Sequence, residues 1–140
     1  MIRNVLLDAG PLAALVNPRD QWHSWVRFQL DEIIPPLLGC EPMLTEALFL
    51  AQRTHGGVSD ILNLLDRGAI TLEFSLQEHF HEVSTLMRQY DNVPMSLADA
   101  CLVRMSELGK DRTVLTLDGD FHIYRRHKRQ RIPLLVPPGV

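Results

Sequence analysis

Four acidic residues, Asp8, Glu46, Asp99 and Asp118, are spread over the 140-residue chain, each at or near an element boundary signalled by its neighbours. Asp8 follows the apolar run Val5-Leu6-Leu7. Asp118 follows Thr113-Val114-Leu115-Thr116-Leu117, with Asp120 two residues on. Glu46 falls early in a helical stretch beginning Met43-Leu44-Thr45, and Asp99 ends Ser96-Leu97-Ala98-Asp99, a capping box. Singly, each acid has an ordinary structural use. Asp8 and Asp99 can cap helices, Asp118-Gly119 makes a good turn, and Glu46 can be a solvated helix residue. The set means more, provided the fold gathers it. Two carboxylates about 5 Å apart repel by roughly 3 kcal/mol at an effective dielectric near 20. Four gathered acids therefore require either that several hold protons or that a divalent cation compensates them. Oxygen ligands without His or Cys select Mg²⁺ or Mn²⁺ over zinc, and such ions serve phosphodiester hydrolysis by activating water and stabilising the leaving oxygen.

Competing chemistries lack their residues. His79 and His81 lie two apart on a predicted helix and point to different faces; no H-x-x-x-H occurs, and His23, His55, His122 and His127 are not spaced as zinc ligands. The chain has no G-x-x-x-x-G-K-[ST], G-x-G-x-x-G or G-x-S-x-G motif, which argues against nucleotide-binding loops and serine hydrolase chemistry. Cys40 and Cys101 form no C-x-x-C and are expected to be small buried thiols.

The elements that must position the acids follow from periodicity and breakers. Val5–Leu7 reads as a short buried strand, and Pro11 as the opening of a helix. Trp22, Trp25, Val26 and Leu30 form a helical apolar stripe, ended by Pro35-Pro36; the stripe is either a core face or a groove for a partner's amphipathic helix. Helices are expected from Met43 to a close at Gly56-Gly57, and around Ile61, Leu62, Leu64 and Leu65 up to Gly68. Ala69–Phe74 reads as a strand, and Ser75-Leu76-Gln77-Glu78 as a capping box opening a helix toward Met87. A further helix runs from the Ser96 box to Gly109, with Leu97, Cys101, Met105 and Leu108 on one face; Thr113–Leu117 and Leu134–Val136 are the remaining strands. Short apolar strands alternating with helices predict an α/β fold, a three-layer α/β/α sandwich around a mostly parallel sheet. In such sheets ligands bind beyond the carboxyl ends of the strands, where Asp8 and Asp118 fall.

At 46% hydrophobic and 22% charged, the composition is that of a globular protein, and residues 1–140 read as a single domain. No apolar run approaches the ~20 residues of a membrane span, and an acid follows Leu7 before a signal-peptide core could form; a cytoplasmic protein without membrane insertion is expected. The net charge of -3 is uneven. Residues 122–131 contain Arg125, Arg126, Lys128, Arg129 and Arg131 and no acid, a stretch suited to an RNA backbone, to an acidic partner segment, or simply to solvent.

With these motifs in place, the chain resembles the PIN-domain ribonucleases, in particular the small single-domain toxins of the VapC type. The likeness runs essentially end to end, through Leu6-Leu7-Asp8, Leu44-Thr45-Glu46, Met95-Ser96-Leu97-Ala98-Asp99-Ala100 and Leu115-Thr116-Leu117-Asp118-Gly119-Asp120-Phe121. It implies a Mg²⁺ or Mn²⁺ site made by Asp8, Glu46, Asp99 and Asp118, with Asp120 in support. Thr116 matches a small polar position that helps hold the attacking water. The implied activity is metal-dependent endoribonuclease cleavage of RNA, by a homodimer with a cognate antitoxin. Two departures stand out: Ala9 and Gly10 follow Asp8 where many members carry Thr or Ser and then a small residue, and Gly119 separates the last two acids. A non-catalytic PIN-like RNA-binding or scaffold module, and a stand-alone RNA-processing nuclease, are the alternatives. A haloacid-dehalogenase-type phosphatase requires a second acid two residues after its first, and position 10 is Gly.

Overall fold

The computed structural model describes residues 1–140. Its centre is a five-stranded parallel sheet in the order β3-β2-β1-β4-β7, built from β1 (Val5–Leu7), β2 (Leu37–Leu38), β3 (Ile70–Thr71), β4 (Thr113–Leu115) and β7 (Leu134–Leu135). β1 is buried along its whole length, as expected of three consecutive apolar residues covered on both faces. Its register with β4 is Val5↔Thr113, Leu6↔Val114 and Leu7↔Leu115; on the other side Leu6 pairs with Leu38. Helices flank the sheet to give the α/β/α sandwich: α1 (Ala9–Leu15), α2 (His23–Asp31), α3 (Glu41–Ala51), α4 (Gly57–Asp66), α5 (Phe80–Gln89) and α6 (Leu97–Glu107). None is long and apolar enough to cross a membrane. A short 3-10 turn (Gly119–His122) and a two-stranded antiparallel hairpin, β5 (Arg125–Arg126) with β6 (Gln130–Arg131), lie between β4 and β7.

Several boundaries move from their sequence-based positions, each for a local reason. α1 starts at Ala9, two residues before Pro11, because the Asp8 side chain caps it. Pro11 then occupies the third helical position, whose N–H needs no intrahelical partner. α3 likewise begins at Glu41. The Ser75 hydroxyl does accept the Glu78 N–H at 3.2 Å, yet the chain stays in turns until α5 begins at Phe80, so that capping box does not open a helix. The expected strands Ala69–Phe74 and Thr113–Leu117 shorten to β3 and β4. α6 buries nearly all of its surface, not one stripe: Ala98 to Met105 are buried apart from Arg104, with Asp99 at the edge of the core, while Leu97 at its start and Leu108 just past its end are exposed. The helix ends at Glu107, before Gly109.

Two glycines are dictated by geometry. Gly68 (φ 76°) closes α4 in a left-handed turn, its N–H bonded to Leu65 O at 3.1 Å and the Ala69 N–H to Leu64 O at 2.9 Å, the paired bonds of a Schellman end. At Gly57 a Cβ would stand 2.7 Å from the Ala51 carbonyl oxygen, so the α3–α4 corner admits no side chain there.

One contiguous core unites the layers, including the free thiols of Cys40 and Cys101. Of the tryptophan stripe, Val26 is buried and Trp25 and Leu30 pack against that core, as its core-facing reading expects, while Trp22 is half-buried just before α2.

Candidate active site

The chain lays down β1, β2 and β3 outward to one side, then returns through α6 to place β4 on the other side of β1. The junction of β1 and β4 is thus the point where strand order reverses, and a crevice opens there beyond the strand ends. Asp8 is the first residue past β1; its N–H bonds Leu115 O at 3.1 Å, holding it level with the end of β4. One carboxylate oxygen of Asp8 accepts the Ala9 N–H at 2.8 Å and the other accepts the Thr116 hydroxyl at 2.7 Å. That hydroxyl accepts the Asp118 N–H at 2.9 Å. Thr116 has no exposed surface, so it joins Asp8 to Asp118 as a positioning residue and does not face water in the cleft.

Asp118 caps the 3-10 turn: its Oδ1 accepts the Asp120 N–H at 2.9 Å, and Oδ2 has no partner in the chain. Asp99 is held by the Ser96 capping box, which forms in full. Ser96 Oγ accepts the Asp99 N–H at 3.0 Å, and Asp99 Oδ2 accepts the Ser96 N–H at 3.2 Å. The same Oδ2 also accepts the Tyr124 hydroxyl at 3.2 Å, leaving Oδ1 free. The structural and chemical uses of Asp99 are therefore compatible, one oxygen for each. Glu46 projects from the exposed side of α3.

All four acids line one open cleft of about 530 Å³, together with Ser96 and walls that include Gly10, Leu50 and Leu117. No Lys, Arg or His lines it, and the chain's ion pairs lie elsewhere, between Arg104 and Glu82 and Glu107. Burial pushes the Asp8 carboxyl from its ordinary 3.8 up to about 6 against the opposing pull of its Thr116 and Ala9 hydrogen bonds, and the charges of Asp99 and Asp118 add to the rise. Burial also raises Asp99, with Asp118 contributing, and Glu46, with Asp99 contributing. The acids thus sense one another as a cluster lacking a countercharge.

A divalent cation fits this set by chemistry: hard oxygens only, Asp99 Oδ1 and Asp118 Oδ2 unbonded within the chain, and no resident positive charge. The acids line the cleft without closing into a cage, and no three His, Cys, Asp or Glu side chains converge on one point.

Other expected site residues stand apart. Asp120 is not among the cleft-lining residues. None of Arg125, Arg126, Lys128, Arg129 or Arg131 lines it either. Arg125 turns its guanidinium back onto the His122, Ile123 and Tyr124 carbonyls, and Arg126 reaches the Ser106 carbonyl at 3.2 Å. Both anchor the hairpin, whose turn is also held by the His127 N–H on Glu107 at 2.7 Å. Lys128, Arg129 and Arg131 are exposed.

Sequence reasoning missed two contributors. Ser96 is more than a cap, since it lines the cleft beside the four acids. Tyr124, fully buried and edge-on to Tyr90 and Phe121, hydrogen-bonds Asp99; the only signal was an aromatic residue within a run of charge. No family model matches the sequence, and no curated protein matches it.

Proposed function

We propose that this chain is a Mg²⁺- or Mn²⁺-dependent endoribonuclease of the PIN-domain kind, the toxin of a type II toxin–antitoxin pair, acting as a cytoplasmic homodimer. The observation that carries the catalytic part is that Asp8, Glu46, Asp99 and Asp118, from four different parts of the fold, line one cleft at the sheet's switch point that no Lys, Arg or His lines. The toxin, homodimer and antitoxin parts rest on the motif resemblance. When bound, a divalent cation supplies the charge that compensates these acids and the phosphate oxygens, and it lowers the pKa of water at the site. Asp8, Glu46, Asp99 and Asp118 would hold it. The chain's own contribution is placement: Thr116 orients Asp8, and the Ser96 box with Tyr124 orients Asp99 so that its second oxygen stays available. The open cleft suits an extended strand in preference to an enclosed small molecule.

The test is cleavage of total RNA by the purified protein with Mg²⁺, with Mn²⁺ and with chelator, beside Asp8→Asn and Asp99→Asn. Discrete fragments that require metal and disappear in both variants are expected. Equal behaviour of wild type and variants, with no Mn²⁺ heat of binding, returns the acids to capping and turn roles and leaves a non-catalytic binding module.

A further inference from the structure

A larger cavity, about 760 Å³, adjoins the acidic cleft and shares Gly10, Leu50 and Leu117 with it, so the two form one continuous trough. Their charges are opposite. Where the cleft holds four acids, this cavity is lined by Arg19, Arg53 and His55, with Asp20 its one acid. One oxygen of Asp20 already accepts the Trp22 N–H at 2.8 Å, which helps shape the turn after α1. Neither Arg19 nor Arg53 makes an ion pair, and neither guanidinium hydrogen-bonds within the chain, although acids outnumber Lys and Arg 17 to 14. Both are exposed, Arg19 beyond the end of α1 and Arg53 beyond the end of α3. The two helices that carry Asp8 at one start and Glu46 on one face are thus each followed, past their ends, by an unpaired planar cation of the type that binds phosphate bidentately.

We propose that the Arg19–Arg53 cavity is the phosphate-binding track of this protein, gripping the sugar-phosphate backbone of a single RNA strand whose neighbouring phosphate lies in the acidic cleft. The inference rests on the nuclease reading of that cleft and names how its substrate is held. A polyanion drawn to four carboxylates needs compensating cations along its path, and this trough supplies them at the cleft's edge, whereas the hairpin cations line neither cavity. Gly10, Leu50 and Leu117 stand at the junction, lining both cavities.

The test measures binding of a short labelled single-stranded RNA to the full chain by fluorescence anisotropy, in chelator, across a range of KCl. Wild type is set beside Arg19→Ala/Arg53→Ala, Arg19→Lys/Arg53→Lys and Lys128→Ala/Arg129→Ala/Arg131→Ala. The double alanine variant is expected to bind about tenfold more weakly at ~0.1 M salt, and its log–log salt slope to fall by about 1.4, or ~0.7 per lost phosphate contact. The double lysine variant keeps most of the slope and the hairpin variant all of it. An unchanged slope in the double alanine variant, loss confined to the hairpin variant, or no RNA binding by wild type overturns the proposal. Cleavage of the same RNA with Mn²⁺ is read separately. Arginine-dependent binding without cleavage defeats the nuclease reading alone, and cleavage indifferent to the arginines defeats only this one.

Discussion

Asp8 concentrates the electrostatic cost of the site. Its carboxyl is buried, faces the charges of Asp99 and Asp118, and is drawn up from 3.8 to about 6. A carboxyl whose folded pKa exceeds its unfolded value binds its proton more tightly in the native state. Its stabilising contribution is complete below about 3.8 and lost as pH rises through about 6. The cost of ionising it in the native state is on the order of 3 kcal/mol. Glu46 and Asp99 are raised as well, so they act in the same sense. In chelator, the urea midpoint of wild type is therefore expected to fall between pH 4 and 6.5, and that of Asp8→Asn to change distinctly less. Parallel pH profiles for the two proteins would show that Asp8 does not carry this cost. At the same scale, the identities of all four acids were legible in the sequence. The hydroxyl of Thr116 was legible as a polar group but not as a bridge, because whether it meets water or Asp8 depends on burial that only β1–β4 pairing creates.

At the scale of elements, α6 shows how one helix start serves folding and chemistry together. The Ser96 hydroxyl satisfies the Asp99 N–H while the Asp99 carboxylate satisfies the Ser96 N–H, and the same carboxylate faces the cleft. Ser96→Ala is expected to lower stability by about 1 kcal/mol, the usual worth of an N-cap hydroxyl. Cleavage by the folded variant should fall as well, with Ser96→Thr restoring most of both; denaturant titration beside an RNA cleavage assay reads the two effects. Full activity in a destabilised Ser96→Ala protein would confine the box to folding. The capping signature was legible here and misleading at Ser75, where the same pattern precedes turns. The two boxes differ in the packing available to the residues behind them. Ala98 to Met105 is a largely apolar segment that the sheet and α3 bury, so a helix nucleated at Ser96 is rewarded at once by packing, while Ser75 is followed by Leu76, which packs on the core from a turn, and then by exposed Gln77, Glu78 and Phe80.

For the whole molecule, the trough along the sheet's switch point sets an acidic floor beside a cationic end. An acid cluster without countercharge opposes the native state, and a ligand that supplies the charge must stabilise it. Stability is expected to rise with Mn²⁺ concentration, by about 2.7 kcal/mol at a hundred times Kd. Thermal unfolding across a Mn²⁺ titration measures this. The gain should shrink in Asp99→Asn and persist in Asp66→Asn, a change at an exposed acid near the end of α4. An equal gain in all three proteins would mean that the ion binds outside the cleft.

The linear sequence by itself determined the α/β class, the short apolar strands, and the acids at the ends of the first and fourth strands, because hydrophobic periodicity and turn chemistry act over a few residues. It also carried the arginines that follow α1 and α3, without marking them. Tertiary structure alone decided which of these groups meet. Asp8 and Asp118 come together because β4 returns beside β1; Glu46 and Asp99 join them because α3 packs against α6; and Arg125 and Arg126 are spent on carbonyls of the hairpin's own neighbourhood. Such meetings depend on strand order and on burial, which no local pattern encodes, and they set the desolvation and repulsion that give the cleft its chemistry.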